Sequence, residues 1–235
     1  MVAYRFEDAE WAQLQTVVPK PNEPLGDLRF RQLFSPEDWN RLPAAVRGRF
    51  GRRVGFGDTI IYRGHVEFNR VNRWGRVLTN VLRFVGAPLP LDRNNEGAAA
   101  VVTVTEAPDK NGGQIWMRQY ARKDTRTPFP QVIQSAKRFK GPTGIEEYIG
   151  GGIGMTLRAA VEGTELAFLA EDIFWDVNIL GKKVRLTLPR PLGPERLRAG
   201  HEELGNGAFA FTLKLEHKWF GKMIDQRVWF RDDVK

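Results

Sequence analysis

The stretch Gly205-Asn206-Gly207-Ala208-Phe209-Ala210-Phe211-Thr212-Leu213-Lys214-Leu215-Glu216-His217 is a tight turn followed by a run of period two. Phe209, Phe211, Leu213 and Leu215 fall on one face of an extended chain, and His217 continues that face. A turn this short joins antiparallel neighbours, because parallel pairs need long crossovers. The same grammar extends in both directions. Strands are predicted over 99–106, 114–122, 131–139, 154–161, 165–171, 183–188, 197–204, 208–217 and 222–231. They are separated by Asp109-Lys110-Asn111-Gly112-Gly113, Glu162-Gly163 and Gly181. A further strand begins at Thr59, with Ile60, Tyr62, Val66 and Phe68 on one face and Arg63, His65 and Glu67 on the other. Roughly ten strands in one unit would leave long open edges if flat, so they predict a mainly β fold, an antiparallel β-barrel or strongly curved sheet of lipocalin-like type.

Two short helical segments are expected to flank or plug the sheet. In the first, Ser35 is a favourable N-cap, Pro36 suits the first helical position, and Trp39, Leu42, Val46 and Phe50 recur at near-helical spacing. Pro43 predicts a break into two pieces. In the second, 73–85, Trp74, Val77, Leu78, Val81, Leu82 and Val85 form an apolar face, ended by Gly86 and Pro88. That face reads as core packing; with Trp74 and its arginines, a place on an anionic membrane surface is the less favoured alternative. Residues 1–26, with a short helix over 8–17 and the Pro19–Pro24 stretch, read as an arm ahead of one β-rich domain over 27–235.

The 235 residues are 42% hydrophobic, 27% charged and lack cysteine, which removes disulfides, thiolate catalysis and Cys-bound metals. No apolar leader or span of about 20 residues occurs, and a cytoplasmic location is expected. The net charge of +8 invites a nucleic-acid reading, but the basic residues are dispersed and no recognition motif accompanies them. The run Gly150-Gly151-Gly152-Ile153-Gly154 is followed by a strand rather than a helix, so it reads as a bulge or bend, not a dinucleotide loop. No cofactor motif and no metal-ligand spacing among His65, His201 and His217 is found, so neither a cofactor nor a metal is expected.

Polar groups that interrupt apolar strand faces are the site candidates. Gln114, Trp116, Arg118 and Tyr120 share one face of their strand. If that face is interior, Arg118 is an anchor for a carboxylate or phosphate within an aromatic wall; if Ile115 and Met117 face inward, Arg118 is surface. Phe209 and Phe211 are expected to line the interior, with His217 at its rim as an acid–base candidate. Glu67 and Tyr120 are further proton-transfer candidates. Glu146 and Glu147, read as part of a turn, are expected to point apart, one serving as a cap or as an ion-pair partner of Lys137 or Arg138.

Several blocks carry a resemblance: Leu42-Pro43-Ala44-Ala45-Val46-Arg47, Gly86-Ala87-Pro88-Leu89-Pro90-Leu91, Gly113-Gln114-Ile115-Trp116-Met117-Arg118-Gln119-Tyr120, Phe129 through Phe139, Gly141 through Tyr148, Gly152-Ile153-Gly154-Met155, and Gly205 through Phe211 with His217. Over residues 35–231 the chain resembles the bacterial domain-of-unknown-function family numbered 4166. The resemblance implies a domain found alone or behind dehydrogenase-like domains, and it assigns no catalytic residue. Lys218 departs from the proline expected after the histidine. These observations predict binding of a hydrophobic or amphipathic, apolar or acidic, metabolite inside the barrel. The alternatives are a cofactor-free isomerase, cyclase or lyase in the same cavity, or an interaction module for a dehydrogenase-like partner.

Overall fold

The computed structural model describes residues 28–232 except 56, 85–88, 90–94, 108–111, 124–128 and 190–192. The predicted arm helix over 8–17, the Gly86 and Pro88 helix end and most of the Asp109–Gly113 turn lie outside the described residues. Three short helices come first: α1 (Leu28–Arg31), α2 (Pro36–Arg41) and α3 (Ala44–Phe50). Ser35 caps α2 by accepting from the Asp38 amide at 3.1 Å, and Pro43 separates α2 from α3. Then β1 (Thr59–Val71) leads into α4 (Arg73–Phe84). The strands β2 (Ala99–Glu106), β3 (Gly113–Tyr120), β4 (Gln131–Arg138), β5 (Glu146–Gly150), β6 (Ile153–Glu162), β7 (Glu165–Ile179), β8 (Lys182–Thr187), β9 (Arg196–Gly205), β10 (Ala208–His217) and β11 (Gly221–Asp232) follow.

Every strand pairs antiparallel with its neighbours, in the order β6-β5-β4-β3-β2-β1-β11-β10-β9-β7-β8, and β6 also pairs with β7. That last pairing closes ten strands into a barrel and leaves β8 outside. Along one edge of β7, Leu166–Leu169 bond to β9, and Phe174–Ile179 bond to β8. Closure removes the long edges that an open sheet of this size would expose. Ten strands exceed the roughly eight of a lipocalin.

Glycine makes the sharp corners. Gly150, Gly151 and Gly152 all have positive φ, and the β5–β6 register slips between Tyr148 and Gly150, so this run is a bend. β1 contains a bulge: Val66 faces Val228, Phe68 faces Arg227, and Glu67 is the extra residue. The predicted alternation therefore holds only up to Val66. Beyond the bulge the parity inverts, Asn69 and Val71 turn inward, and Phe68 moves off the interior row to lie under Arg70.

The core is the barrel interior. Phe30, Trp39, Leu42, Val46 and Phe50 from α1–α3 join Tyr62, Val102, Phe168, Phe209 and Phe230 in one cluster, so these helices plug one end. Arg49 locks the plug: its guanidinium pairs with Glu203 and Asp232 and lies 4.2 Å from the Phe209 ring centre. A second cluster, Val71, Leu215, Met223 and Ile224, lies beside α4.

The apolar face predicted for α4 is only half used. Leu78 packs on that second cluster, but Gly75 and Thr79 make the closest approach, and Trp74, Val77 and Val81 remain exposed. The reason is steric. A Cβ on Gly75 would lie 2.3 Å from the Met223 carbonyl oxygen, so the helix meets β11 along its smallest residues and its bulkier ones are turned away.

Candidate ligand-binding cavity

Between the α1–α3 plug and the opposite mouth, the barrel encloses a cavity of about 130 Å³. Cavities of comparable size admit a benzene-sized group. Its floor is Phe50, Trp116, Phe168 and Phe211, and toward the mouth it is walled by Ile133, Ile149, Leu157, Leu197 and Leu213.

One wall is charged. Inward positions of β3, β4 and β5 place Arg118, Ser135, Lys137 and Glu147 side by side, because Lys137 pairs directly with Glu147 across β4–β5 and Trp116 with Ser135 across β3–β4. Lys137 Nζ lies 3.0 Å from Glu147 Oε1, and Arg118 Nη2 lies 3.7 Å from the same oxygen. Arg118 Nη1 donates to Ser135 Oγ at 3.1 Å. Lys137 and Glu147 are buried, while Arg118 keeps 23% of its side-chain surface. Burial alone would raise the Glu147 carboxyl. The charges of Lys137 and Arg118, with hydrogen bonds from Ser135 and Lys137, outweigh it and hold the carboxyl at about 2. Burial pushes the Lys137 ammonium down, and Glu147 only partly restores it. Two cations therefore face one carboxylate within an apolar enclosure.

Two further polar groups line the cavity. His201 lies against Phe50, Phe209 and Phe211, and burial, with Arg49 close by, lowers its pKa to about 3, so the ring is neutral. Arg49 Nη1 is 3.2 Å from His201 Nε2. Because arginine can only donate, Nε2 accepts and Nδ1 carries the hydrogen. Among the described residues neither His201 Nδ1 nor the Gln226 amide nitrogen has a partner, although both are buried. A buried donor without a partner is costly, and such a group in a cavity wall is a natural contact for a polar ligand atom.

A family model described as "Domain of unknown function (DUF4166)" matches residues 42–230. The chain belongs to the DUF4166 family. No curated protein matches it. The matched region of this DUF4166 chain contains every barrel strand except the last two residues of β11, and with them the whole cavity wall described above.

The sequence-predicted residues divide into three groups. Trp116, Arg118, Tyr120 and Phe211 line the cavity, so the Gln114–Tyr120 row is the interior one. Gln114 and Phe209 sit deeper. Gln114 accepts from Trp116 Nε1 at 3.1 Å beside a small void shared with Phe50 and His201, and Phe209 is fully buried against Tyr62 and Phe230. Glu67 and His217 do not reach the cavity. The bulge places Glu67 on the outer surface, 2.6 Å from Arg227 Nε, and His217 ends β10, stacked on Phe220 and accepting from the Trp219 amide at 3.2 Å. Glu146 and Glu147 do point apart, but because they alternate on a strand rather than in a turn: Glu146 lies outside with Arg185, Glu147 inside with Lys137.

Sequence reasoning missed Ser135, Lys137, His201 and Gln226. A signal existed for the β4 pair: Gln131, Ile133, Ser135 and Lys137 share a face, but that row is the more polar of the two and reads as solvent-facing. His201 carried no such signal, since only the partner strands make its position interior.

Proposed function

We propose that this DUF4166 chain binds a small amphipathic metabolite inside its barrel, with an anionic group at Arg118 and Lys137 and an apolar portion against Ile133, Leu157, Leu197 and Leu213. The observation that carries this reading is the excess cation in a buried apolar cavity, reinforced by the unpartnered donors of His201 and Gln226. Ligand pockets typically combine mostly apolar walls with a few convergent polar groups, and a guanidinium suits a carboxylate or phosphate. Native mass spectrometry of protein purified from its own host, followed by extraction, tests it. A stoichiometric acidic amphiphile, lost in Arg118→Ala at unchanged melting temperature, is the expected result. No bound molecule, together with no thermal shift across a panel of fatty and aromatic acids, overturns it and leaves the interaction-module reading ahead.

A cofactor-free isomerase, cyclase or lyase is the second reading. It is favoured by one observation: Lys137, which burial pushes toward its proton-accepting form, lines the same cavity as Arg118 and the unpartnered His201 Nδ1–H donor. Conversion of the extracted molecule by wild type but not by Lys137→Met would establish it.

A further inference from the structure

The antiparallel meander sorts the connections to two ends. In the pairing registers β1, β3, β5, β7 and β10 all run away from the α1–α3 plug, so α4, the end of β3, the start of β4, the β7–β8 hairpin and the β10–β11 turn gather at the mouth. Apart from Leu28, Ile61 and Leu204, and from Trp175, Leu186 and Leu188 toward the far end of the β7–β8 pairing, the large apolar side chains exposed among the described residues lie on these connections or on the strand ends beside them. Leu180 at the hairpin tip is 98% exposed, Phe129 74% and Trp219 61%, and α4 adds Val77 and Val81. Leu180 also holds a positive φ of 50°, so the hairpin turns on this apolar side chain.

The stretches 73–84, 177–188 and 218–224 include Arg73, Arg76, Lys182, Lys183 and Lys218 and contain no acidic residue; of the acids that border them, Asp176 pairs with Arg185 and Asp225 with Lys222, and Glu216 lies opposite Lys222. Apolar tips with adjacent cations in excess of the bordering acids suit an anionic bilayer interface, where side chains insert below the headgroups and Lys and Arg meet phosphate. A protein partner would be expected to meet a continuous surface with both signs of charge at its rim. Here the apolar groups stand on separate connections, each beside its own cations.

We propose that the mouth end docks on the surface of an anionic lipid bilayer, through the β7–β8 hairpin tip, Trp219 and the exposed face of α4. This docking does not depend on what the cavity holds, so it stands or falls separately from the ligand reading.

The test is co-sedimentation of the full chain with vesicles of phosphatidylcholine alone or mixed with phosphatidylglycerol. Binding to the mixed vesicles, weakened by salt, is expected. A Leu180→Asp/Trp219→Asp double variant with unchanged melting temperature should bind about tenfold or more weakly, the loss expected when two inserted side chains are withdrawn. Lys182→Glu/Lys183→Glu, which alters no apolar contact, should reduce the preference for phosphatidylglycerol. Absence of binding at low salt overturns the proposal. So does equal binding by the Leu180→Asp/Trp219→Asp variant, which would reduce the effect to the net charge of the chain. A dimer seen by light scattering and dissolved by Leu180→Asp would assign the surface to a second copy instead.

Discussion

The protonation of His201 is tied to folding. Its ring titrates near 3 in the folded chain against 6.5 in an ordinary setting, so between these values the unfolded chain holds more protons and acid destabilises the fold. The contribution is complete above about pH 6.5 and is lost as pH falls toward 3. Melting temperature should therefore decline already between pH 6.5 and 5, before most carboxylates titrate, and His201→Gln should flatten that part of the curve. An unchanged slope would place the sensitivity elsewhere. Glu147, held at about 2 against 4.5, acts lower: its stabilisation is complete above about pH 4.5 and fades toward pH 2. Removing one partner of the buried pair is a different matter. Glu147→Gln leaves Lys137 charged or desolvated without compensation and should cost roughly 3–5 kcal/mol in chemical denaturation. The double change Lys137→Met/Glu147→Leu should be close to neutral for stability, and it leaves Arg118 as the cation of the wall.

At the level of elements, two helical glycines make a matched pair. Gly48 in α3 has nothing within 4 Å of an added Cβ, so Gly48→Ala should stabilise by about 0.5–1 kcal/mol through helix propensity alone. Gly75 in α4 meets backbone, and Gly75→Ala should instead destabilise by about 1–3 kcal/mol as the helix is pushed from β11. Equal effects in urea denaturation would show that α4 is not tightly seated. The same elements show what the sequence could and could not disclose. Ser35, Pro36 and Pro43 act locally, and the helices they bound appear where expected. The bounds of β2, β4 and β10 were legible almost to the residue, though not which row of β4 is interior. β5 was not: Glu146 and Glu147 have little intrinsic strand preference, and the cations that pair with them on opposite faces, Arg185 and Lys137, are remote in sequence. The bulge at Glu67 left no mark either, since inserting one residue into a strand changes parity without changing composition.

For the molecule as a whole, closure is the governing fact. The ten barrel strands each have neighbours on both sides, whereas β8 bonds to β7 alone and all six of its residues are exposed. Amide hydrogen exchange should therefore be fastest in Lys182–Thr187 and slowest in β1, β10 and β11. Slow exchange in β8 would mean that its outer edge is paired in solution. The cavity was legible only as an interior of unknown lining. Trp116, Arg118 and Tyr120 could be named from one strand, but their convergence with Lys137 and His201 depends on how far each strand is staggered around the barrel, and no single strand encodes that.

The even number of barrel strands has a consequence for attachment. β1 enters and β11 leaves at the plugged end, where Arg49 on the plug joins Asp232 at the close of the last strand. Both strands thus meet the rest of the chain at the base of the barrel. Any load passed along the backbone through these two strands reaches the base first, and the rim, with its hairpin and α4, can tilt toward whatever it meets without either strand crossing the opening.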